Sequence, residues 1–243
     1  LKLAEILRGI DYRVLSGDSE LQIQGIAHDS KEVKKGFLFV CISGLKTDGH
    51  LYIKDALQNG AIAILGERIT ELEPGICYII TENTRKALAD AASNFYREPS
   101  RYIKVIGVTG TNGKTTTTHL IKAILEEAGH PTSIMGTIYA KIGETMLDMD
   151  HTTPEAPAIE EFLQISRNAG CEYAVMEVSS HALDLCRVDR INFHAAVFTN
   201  LTQDHLDYHH NMEQYRDSKL KLFDAPRRDE SFFTVVNGDD PQG

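Results

Sequence analysis

Short apolar runs along the chain alternate with helical patterns and with polar turns that carry glycine. Residues 2–9 place apolar side chains at helical spacing and predict a short amphipathic helix. Residues 21–26 alternate apolar and polar, as a half-buried strand does. His28, Asp29 and Ser30 follow, then a lysine-rich turn ending at Gly36. Residues 37–42 predict a buried strand, and 43–50 a polar, glycine-bearing loop. A helix is expected over about 52–58, closed by Asn59 and Gly60. Two more apolar strands are expected over 61–65 and 76–80. Over 84–96 a helix would carry Leu88, Ala91, Ala92 and Phe95 on one side. Glu98-Pro99-Ser100 breaks that helix and sets the expected domains at 1–99 and 100–243.

The second part opens with an apolar strand over 102–108. A glycine loop follows, then a helix with Leu120, Ile121, Ile124, Leu125 and Ala128 on one face, stopped by Gly129. A β-type stretch over 132–139 and a hairpin arm over 143–149 come next. The loop His151-Thr152-Thr153-Pro154-Glu155 leads into a helix carrying Ile159, Phe162, Leu163 and Ile165. Strands over 173–176 and 195–198 each run directly into polar clusters. A helix over about 212–223, a strand over 231–236 and a turn over 237–241 complete the pattern. Apolar strands separated by helices predict an α/β fold with a mostly parallel sheet and crossover helices. Ligands of such sheets gather beyond the carboxyl ends of the strands, so Lys114, Glu177 and His205 are expected on one rim.

The glycine loop adds chemistry to the pattern. It reads Gly107-Val108-Thr109-Gly110-Thr111-Asn112-Gly113-Lys114-Thr115-Thr116-Thr117. Strand, glycine loop and a helix opening on Lys-Thr form the context of a phosphate-binding loop. Glycines let backbone N–H groups approach phosphate oxygens, and the helix N-terminus adds unpaired donors and the positive end of a dipole. Lys114 would reach the outer phosphates, and the Thr115 hydroxyl would bind Mg²⁺. The strict pattern places glycine five residues before Gly113, where Val108 stands; Gly107 and Gly110 flank that position instead.

At 243 residues, with 42% hydrophobic residues, the chain is long enough for two domains with real cores. A net charge of −10 argues against a nucleic-acid or anionic-membrane binder. No apolar run approaches the roughly 20 residues of a membrane span. No basic-then-apolar leader is read, so a cytoplasmic location is expected. Cys41, Cys77, Cys171 and Cys186 form no Cys-x-x-Cys pair and fit buried free thiols in a reducing compartment.

Glu177 ends an apolar strand, where a carboxylate needs a partner if buried. It reads either as a solvated strand-end residue or as a ligand sharing Mg²⁺ with Thr115 and ATP phosphates. Asp204, His205, Asp207, Tyr208, His209 and His210 form a second polar cluster, in which His205 would help hold a divalent ion and His209 and His210 read as surface. With no cysteine partner there, zinc is disfavoured. Lys219 reads from its local sequence as an exposed helix lysine. Arg187 is ambiguous, although a guanidinium suits carboxylate or phosphate recognition.

Taken together, these motifs resemble the Mur ligases and their folylpolyglutamate synthetase relatives. Residues 109–116, 151–155, 177–183, Arg187-Val188 and 200–209 look like the diamino-acid-adding (MurE) type of that family. In the first domain, Asp29-Ser30-Lys31, Phe39-Val40, Gly44 and Asp48-Gly49 are similar to its UDP-binding domain. The resemblance implies an ATP-dependent amide ligase of peptidoglycan synthesis. Its fold would be an N-terminal α/β UDP-binding domain and a P-loop ATPase-like central domain, with the family's Rossmann-like third domain missing from this sequence. ATP would phosphorylate the D-glutamate carboxylate of UDP-N-acetylmuramoyl-L-alanyl-D-glutamate, and the amine of lysine or meso-diaminopimelate would then displace the phosphate.

By resemblance, Gly110, Thr111, Asn112, Gly113, Lys114, Thr115 and Thr116 bind ATP. Ser30, Leu45, Lys46 and Thr47 contact the uridine nucleotide. Thr152, Thr153, Ser179 and Arg187 contact the muramoyl dipeptide. Glu177 and His205 hold Mg²⁺, and Lys219, as a carbamate, joins them as a metal ligand; this reverses its reading as a surface lysine. Leu185 stands where some relatives carry a glutamine that touches the substrate, and Lys31 where arginine is common. A monomer without nucleic-acid or membrane partners is expected, and the chain by itself should show no ligation. A folylpolyglutamate-synthetase-like ligase and a non-catalytic nucleotide-binding module are the competing readings; Thr152-Thr153-Pro154 and Asp29-Ser30 argue against the first.

Overall fold

A computed structural model describes residues 1–44, 47–69, 71–147, 151–224 and 231–243. The chain folds into two compact units, Leu1–Arg97 and Glu98–Gly243.

The first unit contains α1 (Leu3–Ile6), β1 (Arg13–Ser16), β2 (Gly25–Ala27), β3 (Phe37–Val40), α2 (Ile53–Gln58), β4 (Ala61–Gly66), β5 (Cys77–Ile80) and α3 (Thr84–Phe95). Its sheet runs β1-β5-β4-β3-β2, with β1 antiparallel and the others parallel. Because successive side chains leave a strand on opposite faces, Leu38 and Val40 enter one core and Phe39 the other. In β5, Ile79 and Tyr78 divide the same way. Burial on both faces explains why these strands read as unbroken apolar runs. Asn83 caps α3 by accepting a hydrogen bond from the Lys86 N–H.

The second unit contains β6 (Lys104–Thr109), α4 (Lys114–Glu127), β7 (Thr132–Met135), β8 (Ala140–Ile142), β9 (Thr145–Leu147), α5 (Ala156–Asn168), β10 (Tyr173–Glu177), α6 (Ser180–Asp184), β11 (Phe193–Phe198), α7 (Leu206–His209), α8 (Met212–Leu220) and β12 (Phe233–Val236). The sheet order is β12-β11-β6-β10-β7-β8-β9. Strands β12 to β7 are parallel, and β8 and β9 add an antiparallel edge. Val105 and Met176 pack with Ile159, Phe162 and Leu163 of α5, while Ile106, Val108 and Val175 pack with Ile121 and Leu125 of α4. The register levels Glu177 with Val108, and Phe198 with Thr109, so the carboxyl ends of β10, β6 and β11 meet on one rim.

Several local expectations give way. The first helix is one turn, and the strand expected over 21–26 is reduced to β2 because residues 21–23 lie against the chain start instead, through a bridge between Lys2 and Gln22. β1 went unseen, since an edge strand with two exposed residues carries no alternation. On α4 only Ile121 and Leu125 reach the sheet; Leu120 and Ile124 are 58% and 68% exposed. These two pairs occupy adjacent i, i+4 rows, and the flat sheet covers one row only. Ile165 is likewise exposed, and the hairpin arm is described to Leu147, with Met149 outside the described residues.

Asn94, buried on α3, donates to the carbonyls of Ile6 and Arg8 at 2.9 and 2.8 Å and so fastens the opening turn of the chain. Asn94→Ala leaves both acceptors without this donor. It is expected to destabilise the first unit by about 2 kcal/mol in urea unfolding, with the second unit's transition unmoved.

Candidate functional site

The loop after β6 is shaped by close approach. Gly110 has φ 147°, and a Cβ there would lie 1.9 Å from Thr199 Oγ1. Gly113 adopts the left-handed region (φ 84°) as the N-cap of α4, which carries no side-chain cap. The first N–H groups of α4 are therefore open toward an anion. The loop is braced from the end of β11. Thr199 Oγ1 donates to the Asn112 carbonyl (2.7 Å), Asn200 takes the N–H and caps the carbonyl of Asn112 (3.0 Å each), and the Thr202 N–H donates to Thr111 Oγ1 (3.0 Å). Tyr215 Oη lies 3.2 Å from the same Thr111 hydroxyl.

Lys114 folds back over this loop and donates to the carbonyls of Gly110 and Thr111, both at 2.9 Å. Burial holds its amine below the usual lysine range, opposed by the charges of Glu177 and Asp204. A second lysine reaches the same carbonyl: Lys219 Nζ donates to Gly110 O at 2.9 Å and lies 4.4 Å from the centre of the Tyr215 ring. Lys219 is 3% exposed, so its local reading as a surface lysine is overturned. The sequence misleads because α8 is mostly polar, and two of its three buried residues, Tyr215 and Lys219, are covered by the loop. Burial first, and then the charge of Lys114, lower the Lys219 pKa to about 7, against the pull of Asp204.

Glu177, at the end of β10, is 1% exposed, which excludes the solvated alternative. Oε1 accepts from the Thr115 hydroxyl (2.9 Å) and the Thr137 N–H (3.0 Å), and Oε2 from the Thr137 hydroxyl (3.1 Å). Thr137 in turn accepts from the Thr152 hydroxyl at 3.0 Å, its own hydrogen being already given to Glu177. Gly136 makes room, since a Cβ there would lie 2.3 Å from Glu177 Oε1. Thr137 was not foreseen; its signal was only its place after β7, the strand beside β10. The donor set of Thr115 hydroxyl and Glu177 carboxylate is all hard oxygen, and it fits a Mg²⁺ ion that takes its other ligands from phosphates and water. Among the described residues, no three His, Cys, Asp or Glu side chains converge as a metal cage.

His205 is not brought to Glu177 by any hydrogen bond in the structure. It is half-exposed, in a left-handed conformation, with Nε2 3.6 Å from Asp204 Oδ2 and its ring 6.0 Å from that of Tyr215. His209 is the second correction: it is 3% exposed, not surface, whereas His210 is exposed. His209 stands four residues after His205, but α7 begins only at Leu206, and both His209 nitrogens face hydroxyls, Ser180 at 2.9 Å and Ser218 at 3.3 Å. Burial is the main cause that lowers its pKa to about 4.

Beside β10, Thr153 donates to the Glu177 carbonyl (2.9 Å) and accepts from the Ser179 N–H (3.1 Å). Ser179 caps α6 by accepting from the Ala182 N–H. Arg187 donates to the Thr153 carbonyl and pairs with Glu155, each at 2.8 Å, leaving its buried Nε without a hydrogen-bond partner. Thr116 and Asn112 are exposed at the loop mouth. In the first unit Ser30 is buried, with its carbonyl held by Asn59 Nδ2 at 2.8 Å, and Thr47 is exposed. Leu45 and Lys46 lie outside the described residues.

The buried His209 makes stability pH-dependent. Above its ordinary pKa of 6.5 the ring is neutral, folded or unfolded. Below that, the unfolded chain takes up a proton that the folded state refuses, so stability falls with pH, by about 2 kcal/mol near pH 4.5. Urea unfolding of the second unit at pH 7 and pH 5 is expected to show the loss, and His209→Gln to flatten it. Lys219 acts in a separate window, weakening the fold as pH falls from 10.5 towards 7.

Comparison with known proteins places this geometry among relatives. The family described as Mur ligase middle domain matches residues 108–243, and that described as Mur ligase family, catalytic domain, matches residues 22–106. A UDP-N-acetylmuramoyl-L-alanyl-D-glutamate–2,6-diaminopimelate ligase of Syntrophomonas wolfei is 53% identical over 99% of this chain and 49% of its own length. A ligase of the same name from Clostridium perfringens is 44% identical over 99% of this chain and 49% of its own. A solved structure of an enzyme so named superposes with a TM-score of 0.81 at 27% identity, over 99% of this chain and 48% of that one. A MurF ligase of Thermotoga maritima in complex with ADP gives 0.60 at 25% identity, over 91% and 47%. The chain thus spans about half the length of the curated relatives it matches. No helix among the described residues is long and apolar enough to cross a membrane.

Proposed function

The chain belongs to the Mur ligase family, and from that premise we propose that it carries the uridine-nucleotide and ATP sites of a ligase that adds a diamino acid to UDP-N-acetylmuramoyl-L-alanyl-D-glutamate. The observation that carries this reading is the Lys114–Thr115–Glu177 constellation at the end of β6 and β10. There a phosphate loop, a hydroxyl and a buried carboxylate meet within hydrogen-bond distances. The names and identities of the relatives support the substrate class, and the ADP complex of the Thermotoga relative supports ATP as the phosphoryl donor.

In this reading, phosphate oxygens replace the loop carbonyls as partners of Lys114, and the open N–H groups of α4 receive them. Thr115 and Glu177 would hold Mg²⁺, and His205 and a carbamate on Lys219 would be further ligands. The ion, when bound, offsets charge on the phosphates. The γ-phosphoryl group passes to the D-glutamate carboxylate and ADP leaves; the diamino-acid amine then attacks the acyl carbon, forms the amide and releases phosphate. The chain's residues position these groups and shield them from water. Arg187, with its free Nε, and Thr152, Thr153 and Ser179 would line the dipeptide end. Ser30 and the loop 45–47 would hold the uridine nucleotide in the first unit. A monomer in the cytoplasm completes the proposal.

Lys114→Ala is expected to weaken Mg·ADP binding at least tenfold in calorimetry, since a charge-assisted contact is worth about 1.5–3 kcal/mol. An unchanged affinity would remove the phosphate-loop assignment. Glu177→Gln is expected to lose the Mg²⁺ dependence of nucleotide affinity, while its amide oxygen can still accept from the Thr115 hydroxyl and the Thr137 N–H. For the whole ligase, sustained ADP release should require both the UDP-muramoyl dipeptide and a diamino acid, the dipeptide alone giving at most a single turnover; sustained release without the dipeptide or without the diamino acid argues for a different reaction.

A further inference from the structure

The proposed reaction leaves one buried imidazole without a task. His209 Nδ1 lies 3.3 Å from Ser218 Oγ, and Nε2 2.9 Å from Ser180 Oγ. The Ser218 hydroxyl already donates to the Gln214 carbonyl at 2.9 Å, one turn back on α8. A hydroxyl has a single hydrogen, so Ser218 must accept from His209 Nδ1–H. Nε2 is then the acceptor for the Ser180 hydroxyl. The hydrogen bonds run in one direction, from Ser180 through His209 and Ser218 to Gln214, and they fix one neutral tautomer. Rings of Tyr208, Tyr215 and His181 enclose the imidazole at 4.6, 5.2 and 5.4 Å between centres.

The two ends of this chain belong to separate parts of the site. Ser180 opens α6, three residues after Glu177. Ser218 precedes Lys219 on α8. Of α8 only Tyr215, Ser218 and Lys219 are buried, and no apolar stripe seats the helix. Its rotation is therefore set by hydrogen bonds: Tyr215 to Thr111, Lys219 to Gly110, and Ser218 to His209. The first two act on the phosphate loop itself. The last reaches the β10 side, within the helix itself; at the helix end Lys221 pairs with Asp184 of α6 at 2.7 Å.

We propose that His209 is a positioning residue: by joining Ser180 to Ser218 it holds α8 at the rotation in which Lys219 stands dry over the phosphate loop, ready to form a carbamate. This rests on the reading of Lys219 given above. In that step the neutral Nζ attacks carbon dioxide, an N–C bond forms, one proton leaves to solvent, and the carboxylate so made carries the negative charge. Without the relay, α8 turns and Nζ leaves the Gly110 carbonyl and the enclosed position in which it meets carbon dioxide.

The experiment incubates the chain with ¹³C-bicarbonate, Mg²⁺ and ADP and reads the carbamate by ¹³C NMR, with Lys219→Arg as the blank. His209→Ala is expected to lower carbamate occupancy about tenfold, as loss of two buried hydrogen bonds would. Ser218→Ala, which keeps the imidazole, should lower it several-fold. His209→Asn, whose amide can still donate to Ser218, should recover much of the signal. Circular dichroism identifies folded variants; if His209→Ala does not fold, Ser218→Ala and His209→Asn decide. Folded variants with wild-type occupancy overturn the proposal, as does an asparagine variant no better than alanine. A wild-type chain without any carbamate signal overturns the reading of Lys219, and the proposal with it.

Discussion

A carboxylate removed from water at the end of a central strand constrains everything around it. Glu177 cannot remain charged there unless donors surround it, and three converge on it from two different segments. Thr115 comes from the first turn of α4, and Thr137 from the loop after β7. Gly136 must lack a side chain for that loop to come close enough. The same three contacts therefore align β6, β7 and β10 at their carboxyl ends, where the parallel register already brings them level. Fold and site share one set of interactions.

The loop after β6 is held with comparable stringency from the other side. Asn112 is clasped by Thr199 and Asn200, and Thr111 by Thr202 and Tyr215. This leaves the loop shape fixed by the protein's own contacts, so an anion bound there would meet no ordering cost in the loop. Two lysines meet on the Gly110 carbonyl, and burial, with their mutual repulsion added, lowers the Lys219 pKa to about 7. An anion beside Lys114 would relieve that repulsion, so the loop as it stands is preorganised for negative charge.

Much of this was legible in the chain. Strands buried on both faces announce themselves as apolar runs, and β3, β4, β5, β6, β10 and β11 were all read from that signal. The glycine loop between β6 and α4 was legible because its glycines and Lys-Thr are contiguous. What escaped was whatever depends on partners distant in sequence. β1 pairs at an edge and needs no apolar alternation. Thr137 earns its role from Glu177, forty residues on. Lys219 and His209 look like surface residues within their own helices, because their burial comes from other elements: the loop at Gly110 and the start of α6.

Sequence alone determined the order of most strands and helices, the parallel architecture, the glycine loop before α4 and the family, since each is written in a local period or a contiguous motif. Tertiary structure decided which charged side chains are dry. Burial is a property of what packs over a residue, not of the residue, and the desolvation it imposes sets the protonation of Lys219 and His209. Local pattern carries no trace of that, because the groups that exclude water from each of them are brought there only when the sheet closes.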